Sequence, residues 1–209
     1  MKFYWVKTHW IVKKLLPKYI WHMPSANKTV YLTFDDGPTP EITEWVLAQL
    51  EQFNAKATFF CIGHNIVNNR TIFEKTIAAG HSIGNHTYNH MNGWHTDDKT
   101  YLDNVEKCEN EMVNVNKNLF RPPYAKLSGV QSKALLNKGY KIVMWDVLSA
   151  DFDHKISKQK CLDNVIKNVR PGSIIIFHDS VKAFENLQYA LPLTLKFLKD
   201  NGYNCEAIL

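Results

Sequence analysis

A chain of 209 residues is long enough for one sizeable hydrophobic core, and length alone favours a single domain, at most two. With 45% hydrophobic and 22% charged residues, the composition is that of an ordinary globular protein and argues against disorder. The formal net charge of +5 comes without a lysine–arginine block interleaved with aromatics, which argues against a nucleic-acid partner and leaves a mild attraction to anionic polymers or membrane surfaces.

Residues 1–28 form a basic, aromatic preface. Lys2, Lys7, Lys13, Lys14 and Lys18 interrupt every apolar run, so the segment is expected to be neither a signal peptide nor a membrane span. Wound at about 100° per residue, Tyr4, Trp5, Ile11, Val12, Leu15 and Leu16 share one arc. Lys2, Lys7, Lys13 and Lys14 take the other, mixed with Phe3, Val6 and Trp10. A helix packed under the main domain is the plainer expectation, and a helix lying on a membrane surface the sharper one. A cytoplasmic protein, or one attached to the inner face of a membrane, is the expected location.

From residue 29 onward, a strand-then-helix rhythm sets in. Strands are expected at 29–34, 57–62, around Ile83, at 119–121, 140–145, 173–178 and 203–208. Helices are expected at 40–53, 66–79, 97–117, 128–138, 157–169 and 182–200, the second ending at Gly80. Such alternation implies a parallel α/β architecture, and about seven strands suit a closed or nearly closed barrel better than an open sheet. Residues 29–209 read as one domain. Cys61, Cys108, Cys161 and Cys205 are far apart and lack CxxC spacing, so free thiols are expected rather than a zinc knuckle or disulfides. Free thiols fit a reducing compartment.

Five short stretches carry chemistry. The first strand runs out on Asp35-Asp36-Gly37-Pro38, two adjacent carboxylates before a turn signal. A strand's end relaxes the strict alternation of faces, so both acids can reach one cleft, one as metal ligand and one as general base. His86 and His90 are four apart, a spacing that on a helical turn puts both imidazoles on one face. Joined by a carboxylate such as Asp36, they supply three ligands and leave a fourth position for water or substrate, the form of a catalytic zinc site. Arg121-Pro122-Pro123-Tyr124 follows a short apolar run. Its double proline stiffens the loop that aims Arg121 and the Tyr124 amide, and Arg121 beside a carboxylate would keep it ionised. Asp151 and His178 follow two further strands. In parallel α/β folds, functional residues gather at the carboxyl ends of strands, and Asp35, Asp36, His86, Arg121, Asp151 and His178 all fall there.

The order of these motifs, Thr33-Phe34-Asp35-Asp36-Gly37, His86-xxx-His90 and Arg121-Pro122-Pro123-Tyr124, resembles the polysaccharide deacetylases of carbohydrate esterase family 4, from about Val30 to the C-terminus. The resemblance implies a distorted (β/α) barrel with fewer than eight repeats, a divalent metal (zinc as a rule, cobalt or nickel as substitutes) and hydrolysis of N-acetyl groups on amino sugars. It implies Asp36, His86 and His90 as metal ligands and Asp35 as general base with Arg121 as its charge partner. His178 becomes the general acid, oriented by Asp151, and the Tyr124 backbone amide helps to hold the oxyanion. Two positions depart from the family pattern: Ala125 stands where glycine is usual and Phe152 where tryptophan is usual. The alternatives are a hydrolase of a non-carbohydrate amide on the same fold, and a catalytically silent sugar-binding protein. The silent protein would be expected to lack a ligand, the base or the acid, and none is missing.

Overall fold

The first long strand sets the architecture. In β1 (Thr29–Asp35) every residue is buried, so the strand is covered on both faces. Val30, Leu32 and Phe34 point to one side, into the main core formed with the helices; Tyr31 points to the other, into a smaller cluster inside the sheet's concave face. Thr33 and Asp35 follow Tyr31 in the period-2 alternation, so the polar residues of the strand face the concave side. The computed structural model describes residues 4–24, 27–116 and 118–209. Lys2 and Phe3, part of the expected N-terminal arcs, lie outside the described residues.

Around β1 stand β2 (Ala57–Cys61), β3 (Ser82–Asn85), β4 (Leu119–Phe120), β5 (Lys141–Ile142), β6 (Val147–Leu148) and β7 (Ile174–His178). Their order is β5-β4-β3-β2-β1-β7-β6, with every pairing parallel. An eighth short strand, β8 (Asn204–Cys205), pairs in parallel with the start of β1. The result is a half-barrel of seven parallel strands. Expectation and structure differ at 140–145: β5 stops at Ile142, and the chain reaches the opposite end of the sheet as β6 only at Val147.

The outer layer consists of α2 (Ile42–Gln52), α3 (Gly63–Asn68), α4 (Arg70–Ala78), α5 (Asp98–Glu111), α6 (Gly129–Asn137), α7 (Lys158–Ile166) and α8 (Phe184–Asp200). The single helix expected at 66–79 is two. Asn69, with non-helical backbone, breaks the run, and its side chain donates to Pro38 O and Asn65 O. α5 is shorter than the expected 97–117: it starts at an Asp97 cap on the Thr100 amide and ends at Glu111, before Asn114 takes a positive φ. Phe34 stacks between Phe59 and Phe177 at ring-centroid distances of 5.0 and 6.1 Å, tying β1 to both neighbours.

Residues 4–24 lie along the seam between β5 and β6. Leu148 donates to Val6 O and Thr8 to Asp146 O, Ile20 bridges Val143, and His22 bridges Ser173. Only α1 (Trp10–Leu15) is helical, so the longer helix drawn from the arcs is not formed. Lys7 and Lys13, six apart, both converge on the buried carboxylate of Asp146, which also accepts from the Ser173 hydroxyl. Two ammonium groups on one carboxylate bind the segment to the barrel.

A candidate metal and hydrolytic centre

The strand register brings the functional side chains to one level. Asp35 lies opposite Phe60 on one side and His178 on the other. Asn85 lies opposite Phe120, so the next residues, His86 and Arg121, leave their strands together. Asp36 has φ +82°, which ends the alternation and turns its carboxylate back toward the cleft that Asp35 faces. Both acids therefore reach one site, as a relaxed strand end allows.

His86 and His90 are not on a helix. They sit in the loop after β3, where Thr87 and His90 take φ +63° and +55°. The turn is held by Asn85 Oδ1, which accepts from the Thr87 amide, and by Asn104 Oδ1, which accepts from the amides of Tyr88 and Asn89. The rings still meet, with centroids 5.1 Å apart. The expected juxtaposition is present, produced by a pinned loop instead of helical periodicity.

Asp36 Oδ1 lies 3.7 Å from His86 Nε2 and 3.2 Å from His90 Nε2. It is buried and has no hydrogen bond, because the approach of His90 is out of line. His86 Nδ1 lies 2.8 Å from Arg121 O, and since a carbonyl only accepts, Nδ1 carries the proton and Nε2 presents its lone pair to the cleft. One ligand atom from each of Asp36, His86 and His90 lies within 4.8 Å of the others. Ligand atoms about 2.0–2.1 Å from a tetrahedral cation stand about 3.3 Å apart, so an orphaned carboxylate oxygen facing two imidazole nitrogens fits a divalent cation. Burial opposes the charge on Asp36, but the His90 contact foremost and then the charge of His178 hold its carboxyl well below the usual range. Burial pushes the His86 imidazole down to about 4 against the pull of Asp35 and Asp36, keeping it neutral.

Beside this triad, Asp35 Oδ1 accepts from Arg121 Nη1 at 2.7 Å, while Oδ2 lies 3.9 Å from His86 Nε2. Arg121 is fully buried and spends its donors on Asp35, Thr33 Oγ1, Val143 O and Met144 O, with its guanidinium 4.0 Å from the Phe60 ring centroid. Burial lowers the Arg121 pKa and the Asp35 charge counters it. On the far side, His178 Nδ1 lies 2.8 Å from Asp151 Oδ1, and the His178 amide donates to Asp151 Oδ2. Burial would lower the pKa of this histidine, but Asp151 foremost, then Asp36 and Asp35, raise it to about 9. The Tyr124 ring lies 4.6 Å from that of His90. Tyr124 and Ala125 both have φ +58°, and the bonds of this turn, Ala125 to Pro122 and Lys126 to Pro123, pass over the Tyr124 amide. Phe152 packs edge-on against His178, with centroids 5.1 Å apart.

Sequence reasoning missed three supports of this site. Asp179, fully enclosed, accepts from the Gly37 amide and the Thr43 hydroxyl and clamps the turn after Asp36. A side chain at Gly37 would collide with that carboxyl, which explains the glycine. Burial raises the Asp179 pKa to about 8. Thr33 relays Arg121 to Ile175 O, and Asn65 donates to Asp36 O. Thr33, inside the Thr33–Gly37 motif, and Asp179, adjacent to His178, carried a signal in the sequence; Asn65 carried none.

A half-barrel of parallel strands with a two-histidine, one-carboxylate cluster between a carboxylate–arginine pair and a histidine–aspartate pair is the architecture of a hydrolytic α/β barrel. The polysaccharide deacetylase family profile matches residues 22–143, more than half of the chain. The chain belongs to the polysaccharide deacetylase family. It is 33% identical over 193 residues to a peptidoglycan-N-acetylglucosamine deacetylase of Bacillus cereus, covering 88% of this chain and 87% of that protein. It is 32% identical to the peptidoglycan-N-acetylmuramic acid deacetylase PdaA of Bacillus subtilis, covering 88% of this chain and 71% of that one. The Bc1960 peptidoglycan N-acetylglucosamine deacetylase, solved with a naphthyl N-hydroxybenzamide, superposes with a TM-score of 0.87 at 31% identity over 98% of this chain and 95% of that one. A mutant of BA3943, described as a family pseudoenzyme with restored activity, superposes with a TM-score of 0.80 at 26% identity over 90% of this chain and 69% of that one.

Proposed function

We propose that this protein is a metal-dependent hydrolase that removes the acetyl group from N-acetylated amino sugars of a glycan or its precursor. The observation that carries the reading is the orphaned Asp36 Oδ1, 3.7 and 3.2 Å from the Nε2 atoms of His86 and His90, with His86 Nε2 in turn 3.9 Å from the carboxylate of Asp35 that Arg121 holds. Asp36, His86 and His90 hold the divalent cation, zinc by the chemistry of two imidazoles and a carboxylate. When bound, it polarises the acetyl carbonyl and lowers the pKa of water toward about 7.

The chain's own residues supply the rest. Asp35, fixed at Oδ1 by Arg121, keeps Oδ2 for the proton of the attacking water. His178, held protonated by Asp151, gives a proton to the departing amine through Nε2. The Tyr124 amide, passed over by the bonds of its own turn, is available to the developing oxyanion. The presence of every one of these groups supports an active enzyme over a silent sugar binder. The substrate class follows the relatives' named activities on peptidoglycan sugars.

The test is acetate release from N-acetylglucosamine oligomers by metal-stripped protein, with and without added zinc or cobalt. Metal-dependent release is expected. Protein that binds one cation per chain yet releases no acetate would overturn the amino-sugar reading and point to a non-carbohydrate amide.

A further inference from the structure

Outside the cleft, α1 presents an apolar face that none of the described residues covers. Its helical wheel divides cleanly. Val12 packs toward the barrel and Lys13 reaches Asp146, while Trp10, Ile11 and Leu15 turn outward with Lys14. Leu15 is 73% exposed, Trp10 64% and Ile11 44%, three large apolar residues clustered on one short helix. Between this segment and the barrel runs a groove of about 850 Å³, with Val12, Leu15, Leu16, Leu127 and Leu136 among its lining and Trp94, 62% exposed, at its edge.

We infer that this face docks on a lipid bilayer carrying anionic lipid, with the groove receiving an acyl chain from it. Charge selects this occupant. Residues 1–34 contain no aspartate or glutamate and six lysines, at positions 2, 7, 13, 14, 18 and 28. Asp146 takes Lys7 and Lys13, whereas Lys14 and Lys18 stand exposed beside the apolar arc. Lys126 sits over the exposed Trp94 ring at 3.5 Å, adding a cation at the groove's other edge. Apolar residues and exposed tryptophans ringed by lysines are the composition of an interfacial surface. A second copy would bring the lysines of two such faces together, and the outward side chains of Ile11 and Leu15 offer a glycan's hydroxyls no partner. The groove ends at Pro122 and Ala125, on either side of the Tyr124 loop, so the docking face and the catalytic cleft adjoin. The surface rests on exposure and charge alone and is independent of the reaction proposed above.

Co-sedimentation of the full chain with vesicles tests it. Binding is expected to vesicles of phosphatidylcholine mixed with phosphatidylglycerol and not to phosphatidylcholine alone, and to weaken as salt is raised. Acyl-brominated lipid should quench tryptophan fluorescence on binding. Leu15→Glu should abolish binding, and Lys14→Glu with Lys18→Glu should weaken it about tenfold or more, since each lysine near an anionic surface counts separately. All three side chains are exposed, so melting temperature and turnover of soluble oligomers should not change. Absence of binding to anionic vesicles, or full binding by Leu15→Glu, overturns the inference. So does a dimer in solution that Leu15→Glu dissolves, which would assign the face to a second copy.

Discussion

Asp35 and Arg121 meet in the protein interior, the guanidinium fully buried and the carboxylate open only to the cleft, and their pairing is more consequential than a surface ion pair. Replacing Asp35 by Asn keeps the shape but removes the charge that compensates the guanidinium. Turnover should fall by about 10²–10⁴, the usual contribution of a general base, and stability by about 3 kcal/mol. Cation binding should persist, because Asp35 is not in the triad; near-normal turnover with metal bound would refute the role. In the proposed reaction, His178 carries the alkaline pH dependence. Its pKa in the fold lies above the ordinary 6.5, so its acid form persists at neutral pH and is lost as pH rises through about 9. A bound cation opposes the help of Asp35 and Asp36, placing the alkaline limb of the rate profile at 9 or below. Asp151→Asn should move that limb toward acid while leaving the acid limb in place, measurable as kcat/KM across pH. An unmoved limb would mean that Asp151 only positions the ring.

At the scale of elements, the N-terminal segment depends on a single carboxylate. Asp146, itself buried, binds Lys7, Lys13 and Ser173, and its replacement by Ala should cost about 2 kcal/mol, the lysines' partial exposure reducing the value for an enclosed pair. Hydrogen exchange at residues 4–24 should rise while β1 stays protected. Burial works to raise the Asp146 pKa, but Lys13, Lys7 and Ser173 together lower it below the ordinary carboxylate value. The stabilisation is therefore present above about pH 4 and lost as pH falls through the depressed pKa, so wild-type protein should lose this protection only in acid. The motif residues were legible because each sits where a strand stops. The role of Asp146 was not, since it lies just past the stretch read as strand without any partner in its own motif, and its lysine partners are more than 130 residues away. HxxxH suggested a helix for a similar reason: spacing reports periodicity, whereas the Asn85 and Asn104 bonds that shape the loop are invisible to it.

For the molecule as a whole, the alternation of strands and helices sufficed for a parallel barrel-like fold, but not for its strand order. That order puts β1 at the centre with β2 and β7 as neighbours, and the register then sets Asp35 beside His178 across 143 positions of sequence. The site is thus assembled by pairings that close long loops, and it exists only when the half-barrel does. In the proposed reading, cation binding and folding are consequently linked. A cation that binds the folded triad and not the unfolded chain adds about 2.7 kcal/mol at a hundredfold excess over its dissociation constant. Chelation should lower the melting temperature of wild-type protein, and zinc should restore it. In His86→Ala the same titration should leave the melting temperature flat, since one of three ligands is gone. A zinc-dependent shift surviving in that variant would place the cation elsewhere and remove the foundation of the proposed reaction.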